Sequence, residues 1–238
     1  STQSRSSAAS DVYKRQAMFR SDCHAAPQRA ADFSSTLPSV ACVALSRRAC
    51  LGGGLAALAL LAGCKPATVP FKGIDLTGAQ YGRDFRLRDA DGRERTLADF
   101  KGQALMVFFG FTQCPDVCPT ALTRALEIRE LLGTDGARLA VAFITIDPER
   151  DTAQVLKAYV GAFDPGFVAL RGDEAQTAEV AREFKVFYKK VPTGASYTMD
   201  HSAITYVFDP EGRLRVAFRH EQDAQDCAAD LRQILGAA

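Results

Sequence analysis

Residues 105–120 read LMVFFGFTQCPDVCPT, and they decide the fold of this chain. The first seven form an almost continuous apolar run with β-branched and aromatic side chains, which predicts a buried central strand. A helix is expected next, over about 116–132, because apolar residues recur there at helical spacing, and Gly133 ends it. Those apolar residues are Ala121, Leu122, Ala125, Ile128 and Leu132. Cys114 and Cys118 therefore lie where a strand ends and a helix begins.

The rest of the folded part alternates strands with helices. A β-hairpin is expected over 84–97 with its turn at Asp91-Gly92, and a second near the end of the chain turns at 210–212. Asp151 and Thr152 have the pattern of a helix N-cap. The expected strands are 105–111, 139–146, 167–170, 204–208 and 214–218, and the expected helices are 116–132, 152–162, 173–184 and 222–235.

This order predicts an α/β fold. Strands that alternate with helices imply a parallel core sheet with helices on its faces, and the closing hairpin makes that sheet mixed. The layout is that of a thioredoxin-like fold: a mixed sheet flanked by helices, with an N-terminal β-hairpin extension.

Composition narrows the function classes. Of 238 residues, 47% are hydrophobic and 24% charged, which is typical of a globular protein and not of a disordered chain. The net charge is +1 and there is no long basic run, so no nucleic-acid partner is expected. Seven cysteines are present, but only Cys114 and Cys118 lie within a turn of each other. A disulfide-rich scaffold is therefore not expected, and this pair stands out.

The residues before the fold predict an export signal. Residues 46–67 read SRRACLGGGLAALALLAGCKPA, where two arginines precede an apolar stretch that is too short for a transmembrane span. It ends in LAGC, which resembles a bacterial lipobox with Cys64 as the lipidated residue. An ordinary cleaved signal and a buried helix are the alternatives. SRR also resembles a twin-arginine signal, but Cys50 stands where that motif usually has Phe, so the export route stays open.

The predicted organisation has four parts. Residues 1–45 are a non-native or disordered leader, 46–64 the lipoprotein-type signal segment, 65–72 a tether and 73–238 the folded domain. The expected location is the periplasmic side of a bacterial cell envelope, with the chain lipid-anchored to a membrane.

The spacing of the cysteines leaves three chemistries open: a disulfide, a redox couple or a metal site. Residues four apart on a helical turn lie on one side, with backbones roughly 6 Å apart. The electropositive N-terminus of a helix lowers thiol pKa and favours the thiolate. Two such thiolates on one face can converge on one soft metal ion. They can also close a disulfide, because that backbone separation is allowed for one.

A metal site needs a third ligand, and His201 is the candidate among three histidines. His24 lies in the leader, and His220 follows the last strand in what is expected to be a solvated turn. His201 precedes a strand expected beside the one that leads into the cysteines, where thioredoxin-like proteins carry a cis-proline that is absent here. Two thiolates and one imidazole favour one copper per chain, as Cu(I) or Cu(II). Structural zinc takes four protein ligands, and iron–sulfur clusters take four cysteines.

Three stretches together resemble the SCO/SenC family of membrane-tethered copper proteins. They are GFTQCPDVCPT (110–120), IDPERDT (146–152) and DHSAITYVFDPEGR (200–213), and the likeness covers about 69–236. The resemblance implies a thioredoxin-like fold and copper bound by Cys114, Cys118 and His201. It also implies a role in maturing cytochrome c oxidase, as a protein that delivers copper to its dinuclear copper centre or reduces the cysteines there. The implied partners are the subunit with that centre, and other copper donors or thiol reductants.

Three acidic residues in these stretches are predicted to support the ligands, each with a structural alternative. Asp116 either tunes the thiolates or favours the helix start through its charge. Asp147 either acts on the site or shapes a loop, and Asp200 is a candidate to orient His201. Cys227, in the last helix, is expected to be a buried apolar residue.

The residues leave the type of activity open. Besides a metallochaperone, the chain fits a thiol–disulfide oxidoreductase in which Cys114 and Cys118 are the redox pair, and it fits a copper or redox sensor without donor activity.

Overall fold

The computed structural model describes residues 69–236. The predicted leader (1–45), the signal segment with Cys64 (46–64) and the first part of the tether (65–68) lie outside the described residues. Within residues 69–236, no helix is both long and apolar enough to cross a membrane.

The described chain contains ten β-strands and four α-helices. The strands are β1 (Ile74–Asp75), β2 (Arg86–Asp89), β3 (Glu94–Thr96), β4 (Ala104–Gly110), β5 (Leu139–Thr145), β6 (Val168–Arg171), β7 (Tyr188–Thr193), β8 (Ser196–His201), β9 (Ile204–Phe208) and β10 (Leu214–Arg219). The helices are α1 (Val117–Leu132), α2 (Ala153–Gly161), α3 (Glu174–Glu183) and α4 (Ala224–Gly236). Two short 3-10 helices, Leu97–Phe100 and Gly133–Arg138, precede β4 and β5.

Eight of the strands form one mixed sheet in the order β1-β10-β9-β4-β5-β6-β2-β3. The central strands β4, β5 and β6 run parallel, whereas β9 is antiparallel to β4, and β2 is antiparallel to β6. The hairpin β2–β3 extends the sheet beyond β6. The predicted thioredoxin-like α/β fold with an N-terminal β-hairpin extension is therefore confirmed.

The core forms where the sequence is most apolar. Every residue of β4 and β5 is buried, as expected for central parallel strands with both faces covered. The apolar stripe of α1 is buried as well, and α1 packs against α4. Cys227 of α4 is fully buried, which confirms its predicted role as an apolar core residue.

Two parts of the fold were not predicted. Strand β1 has only two residues, too few for a pattern. Strands β7 and β8 form a separate two-stranded antiparallel sheet, here called the histidine hairpin (188–201) because it ends at His201. All of β7 except its first residue is exposed and the strand contains Pro192, so neither apolar alternation nor β-propensity marks it.

The predicted tether joins the fold before its expected end at residue 72. Phe71 packs against the core, and the amides of Lys72 and Gly73 donate to the two carboxylate oxygens of Asp230, each at 2.8 Å. Asp230 is itself fully buried in α4. The contacts with the domain therefore begin at Phe71, two residues before the predicted boundary.

Candidate metal centre

The two cysteines lie on either side of a helix start. Strand β4 ends at Gly110, and a turn with a Cys114 N–H to Phe111 carbonyl bond of 3.2 Å leads to α1. Asp116 is the N-cap with φ −139° and ψ −68°, so the helix begins at Val117, one residue after the predicted start. Cys114 therefore precedes the helix, whereas Cys118 is in its first turn and is fully buried.

Gly110 lets the Cys118 sulfur lie directly against strand β4. A Cβ atom at Gly110 would be 2.7 Å from Cys118 Sγ and 2.8 Å from the Phe143 ring. No ordinary contact of a Cβ atom is this short. The site therefore depends on the absence of a side chain at this position.

His201 reaches the cysteines because β9 is antiparallel to β4. The carboxyl end of β4 then meets the amino end of β9, and the histidine hairpin ends just before that point. His201 Nε2 is 3.8 Å from Cys118 Sγ, and its Nδ1 lies 3.1 Å from the carbonyl oxygen of Ser202. Phe108 and Phe111 hold the ring in edge-to-face contact, with centroids 6.1 Å and 5.9 Å away.

The structure brings the three predicted ligands together. One ligand atom from each of Cys114, Cys118 and His201 lies within 4.8 Å of the other two. Cys114 and His201 are half-buried, so the group is reached from one side. No other cluster of three or more such side chains within 69–236 has metal-binding geometry.

The two thiols differ in acidity. The neighbouring Cys118 thiol, the His201 ring and the amides of Asp116 and Cys118 outweigh burial, and they lower the pKa of Cys114 to about 3. The Cys114 thiolate and burial raise the pKa of Cys118 well above its usual value. In the metal-free state the pair therefore holds one proton, on the buried sulfur, and Cys114 is a half-exposed thiolate.

The three acidic residues predicted to support the ligands are placed differently. Asp116 is exposed, and at the site only its backbone amide acts on Cys114. Asp200 is exposed opposite Lys189 in the hairpin, and His201 Nδ1 faces Ser202 instead. Asp147 is buried and accepts hydrogen bonds from Arg150 and Tyr197, so it acts on the loop and on the hairpin.

Sequence reasoning missed three residues of this region: Arg150, Asp151 and Tyr197. Asp151 was predicted only as an N-cap candidate, but the capping oxygen is that of Thr152, which accepts from Val155 N–H. The Asp151 carboxylate instead accepts from Thr112 and Thr145 and is fully buried. The stretch IDPERDT was a signal for Arg150 and Asp151, whereas Tyr197 lies outside it.

The donor set fits copper better than other common metals. Two sulfurs and one imidazole are soft donors suited to copper. Cys114 already carries the charge a metal needs, and Nε2 is the imidazole nitrogen turned towards the sulfurs. Cys114 and Cys118 are free thiols, and the same pair can close a disulfide when oxidised.

Comparison with known proteins identifies the family of this chain. The sequence matches the SCO1/SenC family over residues 75–236. A SCO2-like protein of Rickettsia felis is 40% identical over 166 residues, which are 67% of this chain and 81% of that protein. The copper-bound structure of Bradyrhizobium japonicum ScoI is 41% identical, with a TM-score of 0.59 over 64% of this chain and 98% of that one. Apo Sco1 of Thermus thermophilus is 35% identical, with a TM-score of 0.64 over 71% of this chain and 100% of that one. The chain therefore belongs to the SCO1/SenC family.

Proposed function

We propose that this chain binds one copper ion as cargo through Cys114, Cys118 and His201, and delivers it to the dinuclear copper centre of cytochrome c oxidase. The observation that carries the proposal is the convergence of two sulfurs and one imidazole nitrogen within 4.8 Å. The copper bound in the structure of the Bradyrhizobium japonicum relative supports copper as the metal. The association of the family with copper delivery to cytochrome c oxidase supports this oxidase as the protein that receives the copper.

The site has the properties a donor needs. Three ligands hold a soft ion but leave room for a ligand from the client, so copper can be passed by ligand exchange. Cys114 is half-exposed and ionised, which makes it the ligand that an incoming protein reaches, whereas Cys118 is buried against β4.

Copper titration of the reduced protein tests this proposal, with Cu(I) and Cu(II) followed separately by spectroscopy. One equivalent is expected to bind, and Cys114→Ser, Cys118→Ser and His201→Ala are each expected to weaken binding greatly. His220→Ala is the matched control, because His220 lies in the turn after β10 and outside the ligand group. Unchanged copper retention by His201→Ala in a competition assay contradicts the ligand assignment.

A second candidate function is reduction of the client's disulfide before copper arrives. The observation that favours it is a low-pKa, half-exposed Cys114 beside a protonated, buried Cys118. The Cys114 thiolate would attack the client disulfide and release one client thiolate. Cys118 would then pass its proton to the released client thiolate and attack Cys114 Sγ, which releases the second client thiolate and leaves Cys114–Cys118 oxidised.

Trapping separates this second function from the first. Cys118→Ser cannot resolve the mixed disulfide, so incubation with the oxidised copper-centre subunit is expected to yield a covalent complex through Cys114. A Cys114→Ser variant is the control and should yield none. If Cys118→Ser forms no such complex while the wild type still delivers copper, reduction is not a function of this chain.

The proposed location is the periplasmic side of a bacterial membrane, with the chain held by a lipid on Cys64. The supporting feature is the apolar segment ending in LAGC at 61–64. Expression of the chain with its own signal should place it in the membrane fraction. Cys64→Ser should move it to the soluble fraction, and retention of this variant in the membrane contradicts lipid anchoring at Cys64.

A further inference from the structure

The end of β5 and the loop that follows it, residues 145–151, touch both segments that carry metal ligands. We call this stretch the bridging loop. It makes its hydrogen bonds to the turn before Cys114 on one side and to the histidine hairpin on the other. The bridging loop therefore connects the turn before Cys114 to the hairpin that ends at His201.

On the cysteine side, the buried contact is made by Asp151, and Arg150 Nη1 adds a more exposed hydrogen bond to Gln113 Oε1 at 3.1 Å. Its carboxylate accepts from the Thr112 hydroxyl at 2.6 Å and from the Thr112 amide at 3.1 Å. The Thr145 hydroxyl donates to the same carboxylate at 2.6 Å. Asp151 is fully buried, so these bonds fix the turn before Cys114 against the end of β5.

On the histidine side, Arg150 and Asp147 hold Tyr197. The Tyr197 hydroxyl donates to Asp147 at 2.9 Å, and Arg150 Nη1 donates to the Tyr197 carbonyl at 2.8 Å. The guanidinium carbon of Arg150 lies 3.7 Å from the centre of the Tyr197 ring. Arg150 Nε also donates to Asp147 at 2.5 Å, so the three side chains form one closed group.

Tyr197 lies on the same strand as His201 and can orient it. Side chains alternate along a strand, so Tyr197, Met199 and His201 share one face of β8, and Met199 is buried. The hairpin pairs only with itself, and an isolated two-stranded hairpin is marginally stable. Its direction is therefore set by the contacts it makes with the rest of the domain, among them those of Tyr197 and an ion pair between Lys190 and Glu149.

We propose that Arg150 and Tyr197 are positioning residues that set the distance from His201 Nε2 to Cys118 Sγ. They act through the hairpin, whereas Asp151 keeps the cysteine turn fixed to the same loop. This inference rests on the proposed copper function for its main readout. The bridging loop also holds the histidine hairpin in the copper-free protein, and this can be measured without copper.

The test compares Arg150→Gln with Arg215→Gln in the reduced full chain. Arg215 is a close match, since its side chain is 22% exposed against 16% for Arg150. It also pairs with a buried aspartate, Asp209, and lies over an aromatic ring, Phe71. We expect Arg150→Gln to weaken copper binding about 10- to 100-fold, the range for groups that support metal ligands. Arg215→Gln should leave copper affinity within about twofold, as for a residue outside that support.

A double-mutant cycle decides whether Arg150 acts through His201. In the His201→Ala background, Arg150→Gln should cause no further loss of copper affinity, because the group it positions is gone. An equal loss in both backgrounds, or none in either, overturns the inference. Tyr197→Phe removes only the hydroxyl bond to Asp147 and should shift affinity in the same direction, so a poorly folded Arg150→Gln protein does not remove the test.

Hydrogen exchange of the copper-free protein separates this inference from the proposed function. Arg150→Gln should speed the exchange of β8 amides while those of β4 and β5 stay protected. If the wild type binds no copper, the proposed function fails, and faster β8 exchange still supports the role of the loop. If copper binds and β8 exchange is unchanged, the positioning inference fails alone.

Discussion

Gly110 is the residue whose lack of a side chain makes room for the metal centre. The sulfur of Cys118 occupies the space where any other residue would carry its Cβ atom, and Phe143 closes the same space from β5. Both neighbours are buried and packed, so neither can move far. Gly110, which is not a ligand, therefore sets how closely the Cys118 sulfur lies against β4.

Gly110→Ala is expected to destabilise the fold by about 1–3 kcal/mol, the usual cost of overpacking a core. It should also weaken copper binding, because the Cys118 sulfur has to move away from β4. Urea unfolding and a copper competition assay measure the two effects. Gly161→Ala at the end of α2 is the control, since its Cβ would meet nothing within 4 Å. Equal stability of the two variants contradicts this account of Gly110.

The acidity of Cys114 gives a second prediction at this scale. Its pKa is lowered to about 3, chiefly by the Cys118 thiol, so alkylation of Cys114 in the metal-free protein should stay fast down to about pH 4. Cys118→Ala removes the main cause, and the midpoint of the pH–rate curve should rise towards the ordinary thiol value. Reaction with iodoacetamide under reducing, chelating conditions measures it, and an unchanged midpoint in Cys118→Ala disproves the assignment.

The sequence predicted the residues whose chemistry is rare and missed those whose role depends on position. Two cysteines at a strand–helix junction and a histidine before a neighbouring strand are uncommon, and the structure brings them together. Arg150 and Tyr197 are ordinary polar residues, 47 positions apart, and become partners only once the hairpin is placed. Long-range contacts of this kind have no local pattern from which to predict them.

Among the secondary-structure elements, the histidine hairpin has a weak sequence signal and yet carries one of the three ligands. Its two-residue turn has Gly194 at the first central position with φ +61°, which is typical of a type II′ hairpin turn. That glycine is a usable signal, but Pro192 in the preceding strand weighs against a strand at that position. The helices and buried strands were predicted within two residues of their observed ends, because burial imposes their periodicity.

Gly194→Ala tests whether the hairpin must be well formed for copper binding. The substitution forces an L side chain into positive φ, which costs about 1 kcal/mol, and should lower copper affinity up to about fivefold. Gly78→Ala is the matched control, because Gly78 also has positive φ and open space around its Cβ position but lies outside the hairpin. Competition titration compares the two. A similar loss of affinity in both variants means that the hairpin has no special role.

At the scale of the whole molecule, two hairpin turns are held by the same pattern of hydrogen bonds to a buried aspartate. Asp89 accepts from the amides of residues 91 and 93 and from the Arg95 side chain. Asp209 accepts from the amides of residues 211 and 213 and from the Arg213 side chain. Burial opposes ionisation of both carboxyls, but these hydrogen bonds outweigh it and lower both pKa values. The two turns therefore depend on carboxylates that must stay ionised.

Acid should destabilise the domain through these two residues. Because their pKa values are lower in the folded than in the unfolded state, their stabilisation is complete above the unfolded value of about 3.9 and is lost as pH falls through the folded value. Urea unfolding between pH 7 and 2.5 measures this decline. The double variant Asp89→Asn/Asp209→Asn should start less stable at pH 7 and decline less steeply. An unchanged slope contradicts the assignment to these carboxyls.

The antiparallel pairing of β9 with β4 also controls when the metal centre exists. Cys118 and His201 are 83 positions apart in the chain, and only the completed central sheet makes them neighbours. An unfolded or half-synthesised chain carries the two cysteines without the histidine beside them, and so lacks the full set of ligands. The complete three-ligand site therefore forms only after folding, and a chain that loses its central sheet loses the imidazole ligand.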